Sequence, residues 1–387
     1  MSRHTNVLVR NLRPIGFDEI VSHTMIDVLI DENGLIAGVG SDQLTPVDTK
    51  VIDGKGAYVC PGWMDLHVHV YFGATDLSIR GEDCGLNHGV TTLLDTGSAG
   101  EANFPGFRAF IAKPAPERIY ALLNIGSIGL VAANRVSEVP CLAALSLDRT
   151  LDCIESNRDL ILGIKVRASR QVLGALDMLP VKLAKKAAEL TGLPLMVHIG
   201  DPPALVEDIL DILTPGDIVT HCFHGKAAGT SFANNKPLLE RARQAVRDGV
   251  IFDVGHGRSS FSYEVAKECM EQGFIPQTIS SDLHVGNLNK GVIDLASVMS
   301  KMLALGMPLE DVITKTTVAP RAAVKLRDKG FLSPGEPADL TLFDVENEDE
   351  VLIDSHGQSL RVEKMISPRL SILGTNVVPA ARRLANR

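Results

Sequence analysis

The sequence has no C-x-x-C pair, although it contains six cysteines spread along its length. Scattered thiols are typical of reduced cytosolic proteins and do not indicate a disulfide framework. No uninterrupted apolar run is long enough to cross a bilayer, and the N-terminal stretch MSRHTNVLVRNLRPIG lacks the apolar segment of a secretory signal. We therefore expect a soluble cytoplasmic protein that makes no use of a membrane.

Clusters of basic residues are absent as well. The chain carries 38 Lys and Arg against 47 Asp and Glu, a net charge of −9, so no electrostatic attraction to nucleic acid is expected. Its length of 387 residues suffices for one large domain and a smaller one.

Both ends of the chain are rich in short segments that carry β-branched residues and read as strands. In the first part, the pair Asn33-Gly34 is a strong signal for a two-residue hairpin. The strand-like segments are 7–11, 26–40, 51–62, 335–345, 351–362 and 370–378. Because the two ends resemble each other and differ from the middle, we predict one small β-sandwich domain formed by residues 1–57 and 331–387.

The middle, residues 58–330, alternates between short apolar runs and helical patterns. Eight such units favour an α/β fold of the (β/α)8 TIM-barrel type over a doubly wound open sheet. Polar residues also collect at the C-terminal ends of the predicted strands, where such barrels place their active sites. The helical patterns follow the strands at 74–89, 101–112, 141–158, 172–192, 202–213, 236–248, 261–272 and 293–306.

Two histidines in PGWMDLHVHV, His67 and His69, are two positions apart, so both face the same side of a strand. Neutral imidazoles are good ligands for Zn2+, although H-x-H alone also arises by chance. His198, His221 and Asp282 lie at the ends of the fifth, sixth and eighth predicted strands. Each has a structural explanation when taken singly, but five such residues at four strand ends indicate a metal site.

Lys165 lies in the apolar strand ILGIKVR, where a lysine is seldom buried without a partner. It either reaches solvent from the strand end or belongs to the metal site. A cation among metal ions is repelled, so in the second case the amine is neutral or is converted to an anionic carbamate by carbon dioxide.

These motifs together resemble the amidohydrolase superfamily over nearly the whole chain, including the segment GEPADLTLFD. The resemblance implies one divalent metal, zinc by expectation, held by His67, His69 and Asp282. It implies a second held by His198 and His221, with carbamylated Lys165 and a hydroxide bridging both. Asp282 is then the catalytic residue that takes a proton from the hydroxide and delivers it to the leaving group.

Arg167 follows Lys165 by two positions and is predicted to face the metals, where its planar fork suits a substrate carboxylate. A salt bridge to an acid at the barrel mouth is the competing interpretation. His256 and His284 follow strand ends and are candidate substrate-binding residues, although each, like His224, fits a role in orienting a loop equally well.

Genuine dihydroorotases have an arginine shortly after the first histidine pair, whereas His69 is followed here by Val70, Tyr71, Phe72 and Gly73. The K-V-R arrangement resembles a dihydroorotase-like branch of deacetylases. We therefore expect deacetylation of a small N- or O-acetylated 2-substituted carboxylic acid, with a cyclic amidase as the alternative. A non-catalytic assembly partner of this fold is a third interpretation, and homo-oligomers are an expectation from the resemblance.

Overall fold

The computed structural model describes the larger part of the chain. The described residues are 6–17, 25–41, 43–169, 176–200, 205–227, 229–326, 330 and 332–383. Residue 331, where the second part of the predicted small domain begins, lies outside them, as do the first residues of the predicted helices 172–192 and 202–213. The described residues form two β-sheets with helices, a mixed α/β structure.

The smaller sheet is built from both ends of the chain. Its N-terminal strands are β1 (Asn6–Pro14), β2 (Ile26–Ile30), β3 (Ile36–Gly40), β4 (Thr49–Asp53) and β5 (Tyr58–Pro61). Its C-terminal strands are β13 (Asp339–Ile353), β14 (Ser359–Leu373) and β15 (Asn376–Pro379). They lie in the order β15-β14-β13-β5-β1-β2-β3, and β4 pairs with β1. β5 thus joins this sheet although its residues fall inside the range predicted for the barrel.

The predicted hairpin is present between β2 and β3, which pair antiparallel around Asn33 and Gly34. Gly34 has a φ of +81°, and a Cβ there would lie 2.7 Å from the Cα of Gly374. Only glycine suits both the turn and this close approach.

The larger sheet is wholly parallel and holds the middle of the chain. Its strands, in spatial and chain order, are β6 (Trp63–Val68), β7 (Val90–Gly100), β8 (Arg118–Asn124), β9 (Ile161–Arg167), β10 (Leu195–His198), β11 (Ile218–Thr220) and β12 (Ile251–Asp253). The eighth predicted strand is not a regular strand. Its segment 278–283 joins both edges of the sheet by isolated parallel bridges, Asp253 to Thr278 and Val68 to Leu283.

Helices follow most of these strands. They are α1 (Phe104–Phe107), α2 (Leu147–Glu155), α3 (Leu179–Thr191), α4 (Val206–Ile212), α5 (Lys236–Arg247), α6 (Tyr263–Glu271), α7 (Leu295–Ala304), α8 (Leu309–Thr314) and α9 (Val318–Ala323). Side chains of Ser146, Asn235, Ser262 and Asp294 cap the N-termini of α2, α5, α6 and α7. No helix in the described ranges is long and apolar enough to cross a membrane.

The helix predicted over 74–89 is wrong. The chain there forms only two short 3-10 turns, Gly81–Asp83 and Leu86–His88. Four glycines lie between positions 73 and 89, and glycine loses more backbone freedom in a helix than any other residue. The apolar periodicity of this segment was outweighed by that backbone preference.

Apolar side chains cover both faces of the parallel sheet. On one of these faces they pack at one end of the strands, and the other end is left for polar side chains. Inside, Met64 and Leu66 of β6 pack with Leu94, Met196 and Ile218 of neighbouring strands. This packing occupies the N-terminal end of the strands. The polar side chains discussed next lie at the opposite, C-terminal end.

Candidate metal centre

The six predicted ligands lie at the C-terminal ends of four strands, β6, β9, β10 and β11, and of the irregular eighth segment 278–283. His67 and Lys165 are within β6 and β9, His198 ends β10, and His221 directly follows β11. A cavity of about 280 Å³ opens there, and its lining includes His67, His69, Lys165, His198 and Asp282. We call His67, His69, Lys165 and Asp282 the cavity floor. The exposed lining residues Asn134, Arg258 and Ser259 are the cavity mouth.

A β-bulge directs the first two histidines into this cavity. The pairing of β6 with β7 shifts by one residue between Asp65 and Val68. Strict alternation places Leu66 and His67 on opposite faces, whereas the bulge re-aims the strand so that both lie on its inner side. His67 and His69 then line the cavity together, as their spacing predicts.

The ligand atoms of this group are close to one another. Asp282 Oδ1 lies 3.2 Å from His69 Nε2 and 3.5 Å from His67 Nε2. Candidate ligand atoms of His67, His221 and Asp282 all lie within 4.8 Å of one another. His198 lies beside them, and its Nδ1 is 2.9 Å from His221 Nε2. Nitrogen and carboxylate oxygen donors at these separations suit a divalent ion such as Zn2+.

Hydrogen bonds fix the tautomers of two ligand histidines. Thr220 donates its hydroxyl to Asp253 over 2.8 Å, because an ionised carboxylate only accepts. The Thr220 oxygen therefore accepts from His67 Nδ1 at 3.0 Å. His221 Nδ1 donates to the Gly255 carbonyl at 2.6 Å. In both rings Nε2 keeps its lone pair for a metal.

Two buried carboxylates that the sequence analysis missed hold the segment bearing Asp282. Asp253 accepts hydrogen bonds from Thr278 at 2.8 Å and Ser280 at 2.7 Å. Asp65 accepts from the backbone N–H of Ser281 at 3.0 Å and from its hydroxyl. These hydroxyl contacts account for the irregular eighth segment, since the Ser and Thr side chains bond to acids of β6 and β12. The run T-I-S-S before Asp282 was the available signal.

Burial governs the protonation of the ligands. Burial, followed by the nearby Lys165, lowers the pKa of His67 well below its ordinary value. Burial and His198 do the same for the pKa of His221. Both rings are therefore neutral at pH 7 and able to coordinate. Burial raises the pKa of Asp282, whereas the hydrogen bond from His69 lowers it.

Lys165 is buried to 2% exposure, and its Nζ lies 3.1 Å from His67 Nε2 and 3.7 Å from the sulfur of Met196. No carboxylate hydrogen-bonds to this amine among the described residues. Burial lowers the pKa of Lys165 to about 8. A fraction of the amine is therefore uncharged at neutral pH and nucleophilic.

The backbone bends sharply at two ligands. His221 has a φ of +73° and Asp282 a φ of +51°, which are uncommon for residues other than glycine. Strain of this kind persists where surrounding contacts hold it, and it clusters at functional sites. Asp282 lines the cavity at this point, whereas His221 does not line it and lies beside His67 and Asp282.

The predicted substrate-binding residues have different surroundings. Arg167 lines the cavity, but its Nε lies 2.8 and 3.1 Å from the two carboxylate oxygens of buried Glu138, and Nη2 contacts the same group. His284 lines the cavity too, and its Nδ1 accepts from the Gly286 N–H at 3.0 Å. His256 is fully buried, with Nε2 2.9 Å from Lys301 Nζ. Their contact with substrate stays a prediction.

Residues 58–368 match the sequence model of the family described as "Amidohydrolase family". The chain belongs to the amidohydrolase family. It is therefore a metal-dependent hydrolase of the kind that acts on C–N bonds, and both the resemblance and the prediction of an enzyme are confirmed.

Three individual proteins are similar to this amidohydrolase over nearly its whole length. A deacetylase of Agrobacterium fabrum is 46% identical over 376 residues, 97% of this chain and 92% of that protein. A deacetylase of Enterococcus faecalis is 35% identical over 361 residues, 93% of this chain and 96% of that protein. A crystal structure described as a dihydroorotase superposes with a TM-score of 0.95 and 44% identity, covering 99% of this chain and 100% of that one.

Proposed function

We propose that this amidohydrolase removes the acetyl group from small N- or O-acetylated 2-substituted carboxylic acids. The observation that carries the hydrolytic part is the convergence of His67, His69 and Asp282 beside a buried Lys165. The deacetylase part is supported by the two relatives of that name, which align over more than nine tenths of this chain.

The side chains fit a centre of two divalent ions, which we propose to be zinc. His67, His69 and Asp282 would hold one ion, and His198 and His221 would hold the other. The fixed tautomers of His67 and His221 support this, because both rings present Nε2 toward Asp282 or His198. When bound, such ions lower the pKa of water and polarise the acyl carbonyl.

Lys165 is proposed to carry a carbamate, whose oxygens would serve as further ligands for the ions. The unprotonated amine attacks carbon dioxide, a C–N bond forms, and one proton is released. The product is an anion with two oxygen donors in place of an amine that lacks a carboxylate partner in the described structure. This conversion removes the repulsion between a lysine cation and two metal ions.

Asp282 is the proposed proton carrier. Its carboxylate is ionised before the reaction, so it accepts the proton of the attacking water. It then donates that proton to the departing nitrogen or oxygen as the acyl bond breaks and acetate is formed. Hydrogen bonds that Ser281 and Ser280 of the same segment donate to Asp65 and Asp253 keep this carboxylate in place.

The scaffold for this chemistry is proposed to be a closed eight-position barrel with a small β-sandwich, as predicted for residues 58–330 and for 1–57 with 331–387. Segment 278–283 is then the eighth position, because it bridges to both edges of the parallel sheet. The free thiols of all six cysteines support a reducing, cytoplasmic location.

A cyclic amidase is the second candidate, favoured by the structure described as a dihydroorotase. The loop after His69 argues against it. Val70 and Tyr71 are buried, and Phe72 stacks with the guanidinium of Arg80 at 4.1 Å. That arginine does not line the cavity, so this loop brings no carboxylate-binding arginine toward His69.

The test is a substrate screen of the metal-loaded protein in bicarbonate. We expect turnover of N-acetyl amino acids or O-acetyl hydroxy acids and slow turnover of dihydroorotate, with each activity lowered about 10²- to 10⁴-fold in Asp282→Asn. Rapid hydrolysis of dihydroorotate with inert acetyl compounds supports the cyclic amidase instead. About two metal equivalents per chain support the enzyme, whereas no metal after supplementation favours an assembly partner.

A further inference from the structure

The arginine predicted to hold the substrate carboxylate is already engaged. Arg167 contacts both oxygens of Glu138, whose side chain is 1% exposed. A bidentate pair of this kind satisfies the carboxylate and cancels the charge of the guanidinium. A buried ion pair is costly to open, because its partner is left as an unpaired buried charge. The carboxylate of a substrate therefore needs a different cation.

Among the residues that the structure describes, Arg258 is the second arginine that lines the cavity. It is exposed at the mouth, and within the described part of the chain its guanidinium has no hydrogen-bond or ion-pair partner. Its charge is consequently available to a ligand that enters the cavity. The net charge of the chain is −9, so a cation here also offsets the repulsion of an anionic substrate.

The backbone places Arg258 within reach of the catalytic carboxylate. Gly257 has a φ of +57°, and a Cβ there would lie 2.4 Å from Asp282 Oδ2. From standard bond lengths, the Arg258 Cα lies within about 8 Å of that oxygen. An extended arginine reaches about 6 Å from its Cα, so the guanidinium spans the distance to a small acid bound beside Asp282.

The loop that carries Arg258 is anchored on both sides. The N–H groups of His256 and Gly257 donate to the carbonyls of Ser280 and Ser281 at 3.1 and 3.0 Å. The hydroxyl of Ser355, which follows β13 of the smaller sheet, donates to the Gly257 carbonyl at 2.9 Å. The backbone is thus tied to the segment bearing Asp282, while the arginine side chain extends into solvent.

We propose that Arg258 is the specificity-determining residue that binds the carboxylate of the substrate. The ion pair of Arg167 and Glu138 forms a neutral polar wall of the same cavity. This assignment rests on the proposed function for the identity of the substrate, but it makes a separate claim about which arginine selects acids. An acid is bound by Arg258, and its uncharged amide is not.

The test compares N-acetylalanine, in both enantiomers, with N-acetylalaninamide. Arg258→Gln is expected to lower kcat/KM for the acid about 30- to 100-fold, mainly through KM, and to change the amide less than about threefold. Arg258→Lys restores part of the loss. Arg135→Gln is the matched control, because Arg135 is exposed beside Asn134 but does not line the cavity. Equal effects of Arg258→Gln on acid and amide overturn the proposal.

Binding separates this proposal from the proposed function. If the wild type hydrolyses neither N-acetylalanine nor N-acetylalaninamide, the proposed function is contradicted. Calorimetry of N-acetylalanine with Asp282→Asn, alone and combined with Arg258→Gln, then decides the role of the arginine without turnover. Affinity at least about tenfold weaker in the double variant is expected. Equal affinities, or no measurable binding to Asp282→Asn, overturn the assignment of Arg258.

Discussion

The floor and the mouth of the cavity differ in how their side chains are held. At the floor, His67 is bonded through Thr220 to Asp253, and all three are buried. At the mouth, Asn134, Arg258 and Ser259 are exposed. The groups proposed to coordinate metals and move protons are held by buried hydrogen-bond partners. The groups proposed to recognise a substrate extend from anchored loops, so chemistry and selectivity are expected to respond separately to mutation.

Metal removal is the most severe way to break the floor. Exhaustive chelation is expected to reduce hydrolysis to background, because the proposed mechanism depends on bound metals to activate water at neutral pH. It also removes binding free energy, about 4 kcal/mol for an ion present at a thousandfold excess over its Kd, so Tm falls. Activity, metal content and Tm are measured together, and Zn2+ with bicarbonate restores all three. Full turnover by protein with no detectable metal contradicts the metal centre.

Replacement of the proton carrier is the next largest effect. Asp282→Asn is expected to lower kcat by about 10² to 10⁴, the range for loss of general acid–base catalysis. Asp211→Asn is the matched control, since Asp211 is an exposed partner of Arg241 far from the cavity lining. A kcat near wild type in Asp282→Asn, with metal content retained, removes the proposed role of this carboxylate.

Loss of the Thr220 hydroxyl, which bonds to His67 of the floor, is expected to weaken metal binding without removing a ligand. Thr220→Val preserves the shape of the side chain but leaves His67 Nδ1 and Asp253 without their shared hydroxyl. Metal affinity is expected to fall about 10- to 100-fold. Competition with a chromogenic chelator measures it, and Thr220→Ser, which keeps the hydroxyl, is the control. Identical affinities of the Val and Ser variants show that this hydroxyl does not orient His67.

Part of the cavity lining was predictable from sequence, because its residues follow short periodicities. The spacing of two between His67 and His69, and between Lys165 and Arg167, predicts that each pair shares a face, and all four line the cavity. Their strand ends also marked where the cavity opens. The chemistry of imidazole and carboxylate donors then indicated a metal.

Contacts that depend on irregular backbone were beyond such reasoning. The bulge between Asp65 and Val68 and the bonds of Asp253 to residues 25 and 27 positions later have no periodic signature. Glu138 meets Arg167 from a segment without regular structure on either side, so the pairing could be raised only as an alternative. The mouth is formed almost entirely by such segments, which is why Arg258 was not found.

The smallest expected effect concerns Arg80, an arginine outside the cavity lining. Arg80 stacks on Phe72, which is 44% exposed, and an exposed cation–π contact contributes about 0.5–1 kcal/mol. Arg80→Ala is therefore expected to lower the free energy of unfolding by that amount and to leave kcat/KM for acetylated acids within about twofold. Denaturant unfolding and steady-state kinetics measure the two quantities. A large loss of kcat/KM confined to carboxylate substrates assigns carboxylate recognition to the loop after His69, as in dihydroorotases. It contradicts the division between a catalytic floor and a selective mouth centred on Arg258.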